Sequence, residues 1–394
     1  MNGLPRILIF IDWYLPGFKA GGPISSCVNL VNHLKQEYQF YIITRDTDYT
    51  SDLPYASVIS DSWNEVDGTQ VYYLSEKSLN SRNIWALIKE VDPDLVYVNG
   101  IYSFYFSILP VIFSKLLGYR NILVAGRGML APSAIQVKGI KKKLFFKLAR
   151  RFNFYKGITF HATNTREEAD IQAVLGNNVN IRVAPNLPEF TDGRELKKAY
   201  QTKVSGELKL VSIARIAPEK NTRFALEVLK SYEGEPHITF DLYGPIYSEA
   251  YWQECEVLIA QLPETIAVTY KGSLEKSLVH PTLQQYHALF MPTKGENFGH
   301  IILECFTAGC PVLISDQTPW MNLYENALGY DLPLTDKTAY HTALTDLVLM
   351  SQEEYDLLAD SAYKFAAAYI QNRKHVDANK ALFKFPSAKA GGNS

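Results

Sequence analysis

The chain has 394 residues, of which 47% are hydrophobic, and its formal net charge is −2. That length allows two or three domains, each with a sizeable core. The nearly balanced charge provides no bulk attraction to nucleic acid or to an acidic partner, so no nucleic-acid partner is expected. The four cysteines form no CxxC pair and lie in apolar surroundings. This pattern predicts reduced, buried thiols in a cytoplasmic protein.

The amino-terminal half alternates strand-like and helix-like segments. Helical spacing is seen in SSCVNLVNHLKQ (25–36) and NIWALIKEV (83–91). The strand-like segments are RILIFID (6–12), FYIIT (40–44), VYYL (71–74), LVYV (95–98), NILVAG (121–126) and ITFHAT (158–163). Continuous apolar strands joined by helices predict a parallel sheet that is covered on both faces.

Two apolar stretches raise the question of a membrane span or an export signal. The most apolar one, LVYVNGIYSFYFSILPVIFS (95–114), is long enough to cross a bilayer. Its Asn99, Gly100 and Pro110 favour a buried strand followed by a core helix instead. The first residues, MNGLPRILIFIDWYLPG, do not match a signal peptide because their apolar run is short and meets Asp12.

The carboxyl-terminal half repeats the alternation after a charged, poorly periodic stretch. That stretch, TDGRELKKAYQTKVSGE (191–207), is predicted to connect two domains. Strand-like segments then run from LKLVSIA (208–214) to PVLIS (311–315), with helical segments between them. We therefore expect a second doubly wound domain, whose ligands would bind beyond the carboxyl ends of its strands.

A carboxylate stands in an otherwise apolar helix within KGENFGHIILECFTAG (294–309). The helix is predicted from about His300 to Gly309, where glycine suits a left-handed cap. Glu304 and Thr307 share one helical face with His300. A buried carboxylate must meet donors, because leaving it unpaired costs several kcal/mol. Sugar hydroxyls, an internal salt bridge or backbone amides would each satisfy Glu304.

Two loops of this half offer donors to an anion. GENFG (295–299) leaves backbone amides at the amino end of the predicted helix. SIARIAPEKN (212–221) places Arg215 and Lys220 after a strand, where both could converge on a diphosphate. By their spacing alone, the two cations are equally consistent with solvated surface side chains.

Arg215 and Lys220, followed by Glu296 and Glu304, resemble the signature of the retaining GT-B glycosyltransferases of family 4. The resemblance extends to the order of strands and helices and is most specific over 208–320. It implies an α/β GT-B fold, with two doubly wound Rossmann-like domains facing a cleft. The implied division is an acceptor-side domain over 1–188 with a crossover helix over about 366–385, a nucleotide-sugar-binding domain over 189–365, and a flexible tail over 386–394.

The resemblance also implies a role for each motif residue. Glu304 would bind the ribose hydroxyls of a nucleotide sugar, and Glu296 would orient the donor sugar near the reacting carbon. Arg215 and Lys220 would neutralise the departing diphosphate, so these two and Glu296 are the catalytic candidates and neither a metal nor a cofactor is required. The backbone amides that would hold sugar and phosphate are those of Asn297, Phe298, Gly299 and His300.

The amino-terminal half supplies three weaker candidates. Gly22, in AGGPISS (20–26), would approach the donor phosphate across the cleft, and a plain tight turn is the alternative. Arg127 stands in VAGRGMLAPSAI (124–135), where many relatives carry a histidine-glycine pair. Arg127 and His161 are therefore the acceptor-side candidates, and a structural role is the alternative for each.

Two D-x-D matches raise the alternative of a metal site. Asp46 and Asp48 follow a strand, whereas Asp92 and Asp94 precede one. A solvated loop and a turn explain these positions, so we expect metal-independent chemistry.

One region is strongly basic. From residue 95 to residue 166 there are twelve Lys or Arg and no acidic residue. Most lie in VKGIKKKLFFKLARRFNFYKG (137–157), which has the pattern of a basic amphipathic helix. Such a helix can lie on an anionic membrane surface or meet a lipid-diphosphate acceptor, and a core-facing helix with a solvated basic face is the alternative.

The implied reaction transfers a hexose from a UDP- or GDP-sugar to a polysaccharide, a lipopolysaccharide-type glycan or a lipid-linked glycan. The nucleotide sugar is then a co-substrate. The enzyme would be cytoplasmic, or peripheral at the inner face of the cytoplasmic membrane. The alternatives are a nucleotide-sugar epimerase of the same fold and a non-catalytic protein that binds a sugar nucleotide or a glycan.

Overall fold

The chain divides into two compact units. Unit 1 comprises Met1–Phe190 and Arg373–Ser394, and unit 2 comprises Thr191–Asn372. A computed structural model describes residues 3–136, 139–190, 201–233 and 236–385. The first part of the predicted connection, residues 191–200, and the predicted tail, residues 386–394, lie outside the described residues.

Unit 1 is built on an eight-stranded sheet. Its strands are β1 (Arg6–Phe10), β2 (Gln39–Arg45), β3 (Trp63–Val66), β4 (Thr69–Leu74), β5 (Leu95–Asn99), β6 (Ile122–Ala125), β7 (Thr159–Ala162) and β8 (Asn180–Val183). Their order across the sheet is β3-β4-β2-β1-β5-β6-β7-β8, and the β3–β4 pair is antiparallel whereas the other pairs are parallel.

Helices cover both faces of this sheet, which is why its central strands are apolar on both sides. Every residue of β5, β6 and β7 is buried. The helices of unit 1 are α1 (Gly22–Leu34), α2 (Ser81–Val91), α3 (Leu109–Leu116), α4 (Pro132–Gln136), α5 (Gly139–Arg151), α6 (Thr165–Leu175) and α13 (Arg373–Leu382).

Unit 2 repeats the architecture with a six-stranded parallel sheet. Its strands are β9 (Glu207–Ile213), β10 (His237–Tyr243), β11 (Ile266–Gly272), β12 (Ala288–Met291), β13 (Val312–Ser315) and β14 (Gly329–Leu332), in the order β11-β10-β9-β12-β13-β14. Its helices are α7 (Thr222–Lys230), α8 (Glu249–Ile259), α9 (Lys276–Leu283), α10 (His300–Thr307), α11 (Lys337–Leu349) and α12 (Gln352–Gln371). The prediction of two doubly wound domains is confirmed.

The apolar segment 95–114 is not a single helix. It forms β5, then a π-helical turn over Phe104–Ile108, then α3, as its asparagine, glycine and proline predicted. Within the described residues, no helix combines the length and apolarity needed to cross a bilayer. All four cysteines are buried and free, which confirms the predicted burial.

The helix predicted over about 366–385 is two helices. Asn372 has an extended backbone (φ −73°, ψ 96°) and separates α12 from α13. The chain changes unit at this residue rather than near 366, because α12 packs on α10 within unit 2. In unit 1, buried Asn379 of α13 donates a hydrogen bond to the carbonyl oxygen of Pro185 at 2.7 Å. Arg182 donates to the carbonyl of Leu382 at 2.9 Å and so satisfies the carboxyl end of α13.

Three strands carried no clear pattern in the sequence: β3, β8 and β14. Each is the last described strand on its side of a sheet, a position where continuous apolarity is not required. Their partly exposed residues give them little contrast with loops.

Candidate functional site

The sheet of unit 2 has a topological switch point between β9 and β12. The chain progresses from β9 to β10 and β11 on one side and from β12 to β13 and β14 on the other. Connections on the two sides leave over opposite faces, so a crevice opens beyond the carboxyl ends of β9 and β12. The loop after β9 carries Arg215 and Lys220, and the loop after β12 carries Glu296.

Hydrogen bonds join these two loops. Buried Asn221 donates from Nδ2 to the carbonyl oxygen of Pro292 at 3.0 Å. The carbonyl oxygen of Glu219 accepts from Thr293 Oγ1 at 3.0 Å and from the amide of Lys294 at 2.8 Å. Because these partners are backbone groups of one loop and side chains or amides of the other, the two loops form one framework.

Lys220 and Glu296 form an ion pair within this framework. Their side chains are only 19% and 11% exposed, so each charge depends on the other for compensation. The amide of Glu296 also donates to the carbonyl of Gln317 at 3.0 Å, which fixes the backbone that carries the carboxylate. The structure thus brings together two residues that are far apart in sequence.

The amino end of α10 adjoins Glu296. Its N-cap, Gly299, has a left-handed backbone (φ 75°, ψ 65°) and no side chain that could cap the helix. The first-turn amides of such a helix form an anion-binding end. Phe298 is buried with its ring 5.3 Å from that of Trp320 and 4.7 Å from that of His300. Asn297, Phe298, Gly299 and His300 therefore lie on the same corner.

Glu304 lies on α10 and forms an ion pair with Lys276, the first residue of α9. The internal salt bridge that the sequence left open is thus present in this structure, and ribose binding by Glu304 stays a prediction. Sequence analysis missed Lys276. The location of Lys276 could have identified it, because it follows β11 by four residues and so lies at the same edge of the sheet as Lys220.

Arg215 has a different environment. Its guanidinium lies over the ring of Tyr247, 5.7 Å from the ring centroid. Among the described residues, no carboxylate lies within ion-pair distance of Arg215. The side chain is therefore a cation without a counter-charge at the carboxyl edge of β9, although the role in diphosphate binding remains a prediction.

Gly22 lies in unit 1 as the first residue of α1. The left-handed backbone in this loop is at Gly21 (φ 70°), and Pro23 occupies the first turn. The tight turn considered from the sequence is thus formed around Gly21.

The Asp residues of the two D-x-D matches organise loops. Asp48 accepts from the amides of Phe18 at 3.2 Å and Tyr49 at 2.7 Å. Asp92 pairs with Arg6 at 3.0 Å. Within the described ranges, no group of three His, Cys, Asp or Glu residues is arranged to hold a metal ion.

Arg127 and His161 belong to one interior network of unit 1. Arg127 has a left-handed backbone (φ 51°) and donates from Nε to Asn99 at 2.7 Å and from a terminal nitrogen to the Tyr97 hydroxyl at 2.9 Å. It also donates to Asn186. All these partners are neutral, so the charge of Arg127 is hydrogen-bonded without being neutralised by them.

His161 is 1% exposed and has both ring nitrogens engaged. The carbonyl of Ala184 can only accept, so Nε2 donates to it at 2.8 Å and Nδ1 accepts from the Tyr97 hydroxyl at 2.8 Å. Burial, and then the charge of Arg127, lower the pKa of His161 to about 3. Both ring nitrogens thus have protein partners, which fits the structural role considered from the sequence, and the acceptor-side role of His161 stays a prediction. His161 holds Tyr97, which in turn holds Arg127.

A second polar group of unit 1 was not singled out from the sequence. It lies at the switch point between β1 and β5, where Asp12 accepts from the Ser103 hydroxyl at 2.7 Å and lies 3.6 Å from Arg45. Burial raises the pKa of Asp12 in spite of these partners. The available signal was an acidic residue directly after the first strand.

Comparison with known proteins adds to this geometry. Residues 193–365 match the family model of glycosyl transferases group 1. No curated protein sequence is similar enough to count as a match. Sucrose-phosphate synthase from Thermosynechococcus elongatus is similar in structure, with 14% identity, a TM-score of 0.70, and coverage of 97% of this chain and 98% of that one.

Two further solved structures are similar over the whole chain. The Anabaena protein HepE in complex with UDP and glucose has 14% identity and a TM-score of 0.69, and covers 96% of this chain and 98% of its own. WaaG, a glycosyltransferase involved in lipopolysaccharide biosynthesis, has 12% identity and a TM-score of 0.65, with coverage of 97% and 100%.

These similarities define the class. The chain has the GT-B fold, and most of unit 2 matches the family model of glycosyl transferases group 1. The match to the family model supports a glycosyltransferase. The structural likeness at such low identity concerns the fold alone.

Gly299→Ala tests the corner at α10. A Cβ at Gly299 would lie 2.8 Å from Ile302 Cδ1 on a left-handed backbone, so we expect a local cost of about 1–3 kcal/mol. Faster hydrogen exchange of the α10 amides would report this cost. Gly272→Ala is the matched control, because φ is 78° there and no atom lies within 4 Å of the added Cβ. Equal behaviour of the two variants would contradict the steric argument.

The buried histidines predict a pH dependence. His161 should stay neutral down to a pKa of about 3, and burial lowers the pKa of His287 to about 4. The unfolded chain binds these protons near pH 6.5, so the free energy of unfolding should fall as pH drops below 6.5, by up to about 1.4 kcal/mol per pH unit for each histidine. The ring carbon NMR signals of both should not move between pH 8 and 5.5, with His161→Gln providing the assignment. Titration of His161 above pH 5.5 would contradict the network.

Proposed function

We propose that the chain is a retaining, metal-independent glycosyltransferase of family 4. It transfers a hexose from a UDP- or GDP-sugar to a growing polysaccharide or lipopolysaccharide-type glycan. The observation that carries this proposal is the Lys220–Glu296 ion pair beside the amino end of α10. The group 1 match supports glycosyl transfer, the UDP complex of the Anabaena protein supports a nucleotide-sugar donor, and WaaG supports the acceptor class.

The donor would occupy the edge of unit 2. Lys220 and Arg215 bind the diphosphate, with the backbone amides of Gly299 and His300 as further donors. Glu296 orients the hexose. The ion pair keeps Lys220 extended before the donor arrives, so less side-chain entropy is lost on binding. Glu304, already held by Lys276, accepts from the ribose hydroxyls.

The chemical step needs charge stabilisation at the leaving group. The acceptor hydroxyl oxygen forms a bond to the anomeric carbon on the face from which the diphosphate departs. The bond between that carbon and the phosphate oxygen breaks, its electron pair stays on the phosphate, and the hydroxyl proton passes to the departing oxygen. Lys220 and Arg215 stabilise this growing charge, which lowers the barrier without a metal ion. Glu296 stabilises the positive charge that develops on the sugar.

Unit 1 would bind the acceptor. The Arg127 guanidinium is oriented by Asn99, Asn186 and Tyr97, and it has no carboxylate among these partners. We assign Arg127 to the acceptor side and His161 to positioning Tyr97 behind it. A nucleotide-sugar epimerase and a non-catalytic binding protein remain the alternatives, and product analysis with and without a glycan acceptor separates all three.

Donor titration tests the site. In calorimetry with UDP, GDP and their sugars, Lys220→Ala should weaken binding roughly 10- to 150-fold, because charge-assisted contacts contribute about 1.5–3 kcal/mol each. Glu304→Ala should weaken nucleotide binding in the same direction. Glu296→Gln should mainly lower turnover of the nucleotide sugar.

Lys230→Ala is the matched control, since it removes one lysine charge from the far end of α7. The affinity of this variant for UDP, GDP and their sugars should equal that of the unaltered chain. Unchanged titrations in both Lys220→Ala and Glu304→Ala would remove the donor-site assignment. Binding without transfer to any glycan acceptor would favour the non-catalytic alternative.

The basic segment carries a second part of the proposal, which is peripheral attachment to the inner face of the cytoplasmic membrane. Four apolar residues of this segment follow one another at every fourth position and are 47–87% exposed. They are Ile140, Leu144, Leu148 and Phe152. The first three lie on α5 and Phe152 follows its last residue, and we call this set the apolar face of α5. Exposed apolar side chains among cations fit an anionic lipid surface, which takes up the former and attracts the latter.

Vesicle binding tests this face. Leu144→Ser with Leu148→Ser should lower binding to phosphatidylglycerol vesicles by about tenfold or more in a flotation assay, because burying each leucine contributes on the order of 1–2 kcal/mol. Leu116→Ser with Leu357→Ser is the control, since both leucines are exposed outside this face. Equal loss in both pairs, or equal binding to phosphatidylcholine vesicles, would refute the membrane face.

A further inference from the structure

Unit 1 contains a cavity that the proposed donor site does not use. It has a volume of about 370 Å³ and lies between α4, α5 and α6. This is within the usual size range of small-molecule sites. Among the described residues, its lining consists of Ile135, Lys143, Phe146, Lys147, Arg150 and Val174.

One wall of the cavity is cationic. Lys143, Lys147 and Arg150 lie on one face of α5, at positions that are neighbours on a helix. Three like charges at this spacing repel one another. Among the residues that the structure describes, no carboxylate pairs with any of the three. An anion in the cavity would relieve this repulsion and accept charge-assisted hydrogen bonds.

Two acids of α6 have partners away from the cavity. Glu167 of α6 accepts from the amides of Gly128 at 2.7 Å and Thr163 at 2.8 Å. Asp170 of α6 has Arg166 as its neighbouring cation. The cavity cations therefore differ from Arg6 of the same unit, which has its own aspartate partner.

The remaining wall is apolar, and a hydrogen bond joins the two helices α4 and α5 that contribute to it. Phe146 is buried, whereas Ile135 and Val174 are half-buried. Lys142, the residue beside the cationic wall, donates to the carbonyl of Ala134 at 2.6 Å and so ties α5 to α4. A ligand that fills this space would need a charged end and an apolar portion.

We infer that this cavity binds a phosphorylated amphiphile, with the phosphate on Lys143, Lys147 and Arg150 and the adjoining apolar portion against Phe146, Ile135 and Val174. The apolar face of α5 is the next stripe of the same helix. A phosphorylated lipid at a membrane surface could therefore place its headgroup in the cavity while its chains stay in the bilayer. The inference goes beyond donor binding and glycosyl transfer, and it adds a specific headgroup site to the proposed membrane face.

The test uses the full chain and short-chain probes below their micelle concentrations. Calorimetry should detect binding of dihexanoyl phosphatidic acid and much weaker binding of dihexanoyl phosphatidylcholine. Lys143→Gln with Lys147→Gln should weaken phosphatidic acid binding at least about tenfold. Lys141→Gln with Arg151→Gln removes the same charge from α5 outside the cavity and should change binding less than about threefold.

Glycerol 3-phosphate separates the two sources of this phosphate chemistry. It should bind at least about tenfold more weakly than dihexanoyl phosphatidic acid, because it lacks the apolar portion. Equal affinity would mean that a free phosphate is the ligand and would overturn the amphiphile. Equal loss in the two charge-matched variants would mean that diffuse surface charge binds the probe and would overturn the cavity site. A lack of phosphatidic acid binding by the unaltered chain would also overturn it.

Titration with UDP separates this inference from the proposed function. Lys143→Gln with Lys147→Gln should leave UDP affinity unchanged, since the donor-site residues lie in unit 2. Phosphatidic acid binding that persists in Lys220→Ala supports the cavity even if the donor assignment fails. Loss of phosphatidic acid binding in Lys220→Ala would place the phosphate in the donor site and overturn the cavity.

Discussion

The ion pair between Lys220 and Glu296 links the two loops at the switch point of unit 2, after β9 and β12. Each charge is largely withdrawn from water, so the pair persists only if both loops are held at the correct separation. The hydrogen bonds from Asn221 and Thr293 to backbone carbonyls of the opposite loop provide this. The pair therefore depends on the strand order that makes β9 and β12 neighbours, and the proposed donor chemistry depends on the pair.

Unit 1 uses cations in a different way. Arg127 is held by an amide, a hydroxyl and a second amide, and His161 supports that hydroxyl as a neutral ring. A guanidinium whose partners are all neutral keeps its net positive charge and so its attraction for an anion. The same reasoning distinguishes the cationic wall of α5 from the surface ion pairs elsewhere in the unit.

The apolar face of α5 and the cationic wall of the cavity favour the same kind of partner. An apolar face that remains exposed costs solubility unless a partner covers it. Cations beside it favour an anionic partner, and the cavity next to them can discriminate among headgroups that a flat surface could not. Attachment and recognition would then reside on neighbouring stripes of a single helix.

The sequence by itself determined the fold class, the two-domain organisation and the loops that carry Arg215, Lys220 and Glu296, because buried parallel strands and glycine-bounded loops leave local patterns. It also placed Glu304 in an apolar helix, but the pairing of Glu304 with Lys276 was decided by the tertiary structure, since the two lie on different helices. The tertiary structure also decided the hydrogen bonds of both nitrogens of His161, the break between helices at Asn372, and the edge strands β3, β8 and β14. Each of these features depends on partners that are distant in the chain. A local pattern of residues does not specify which distant group will lie within hydrogen-bonding distance.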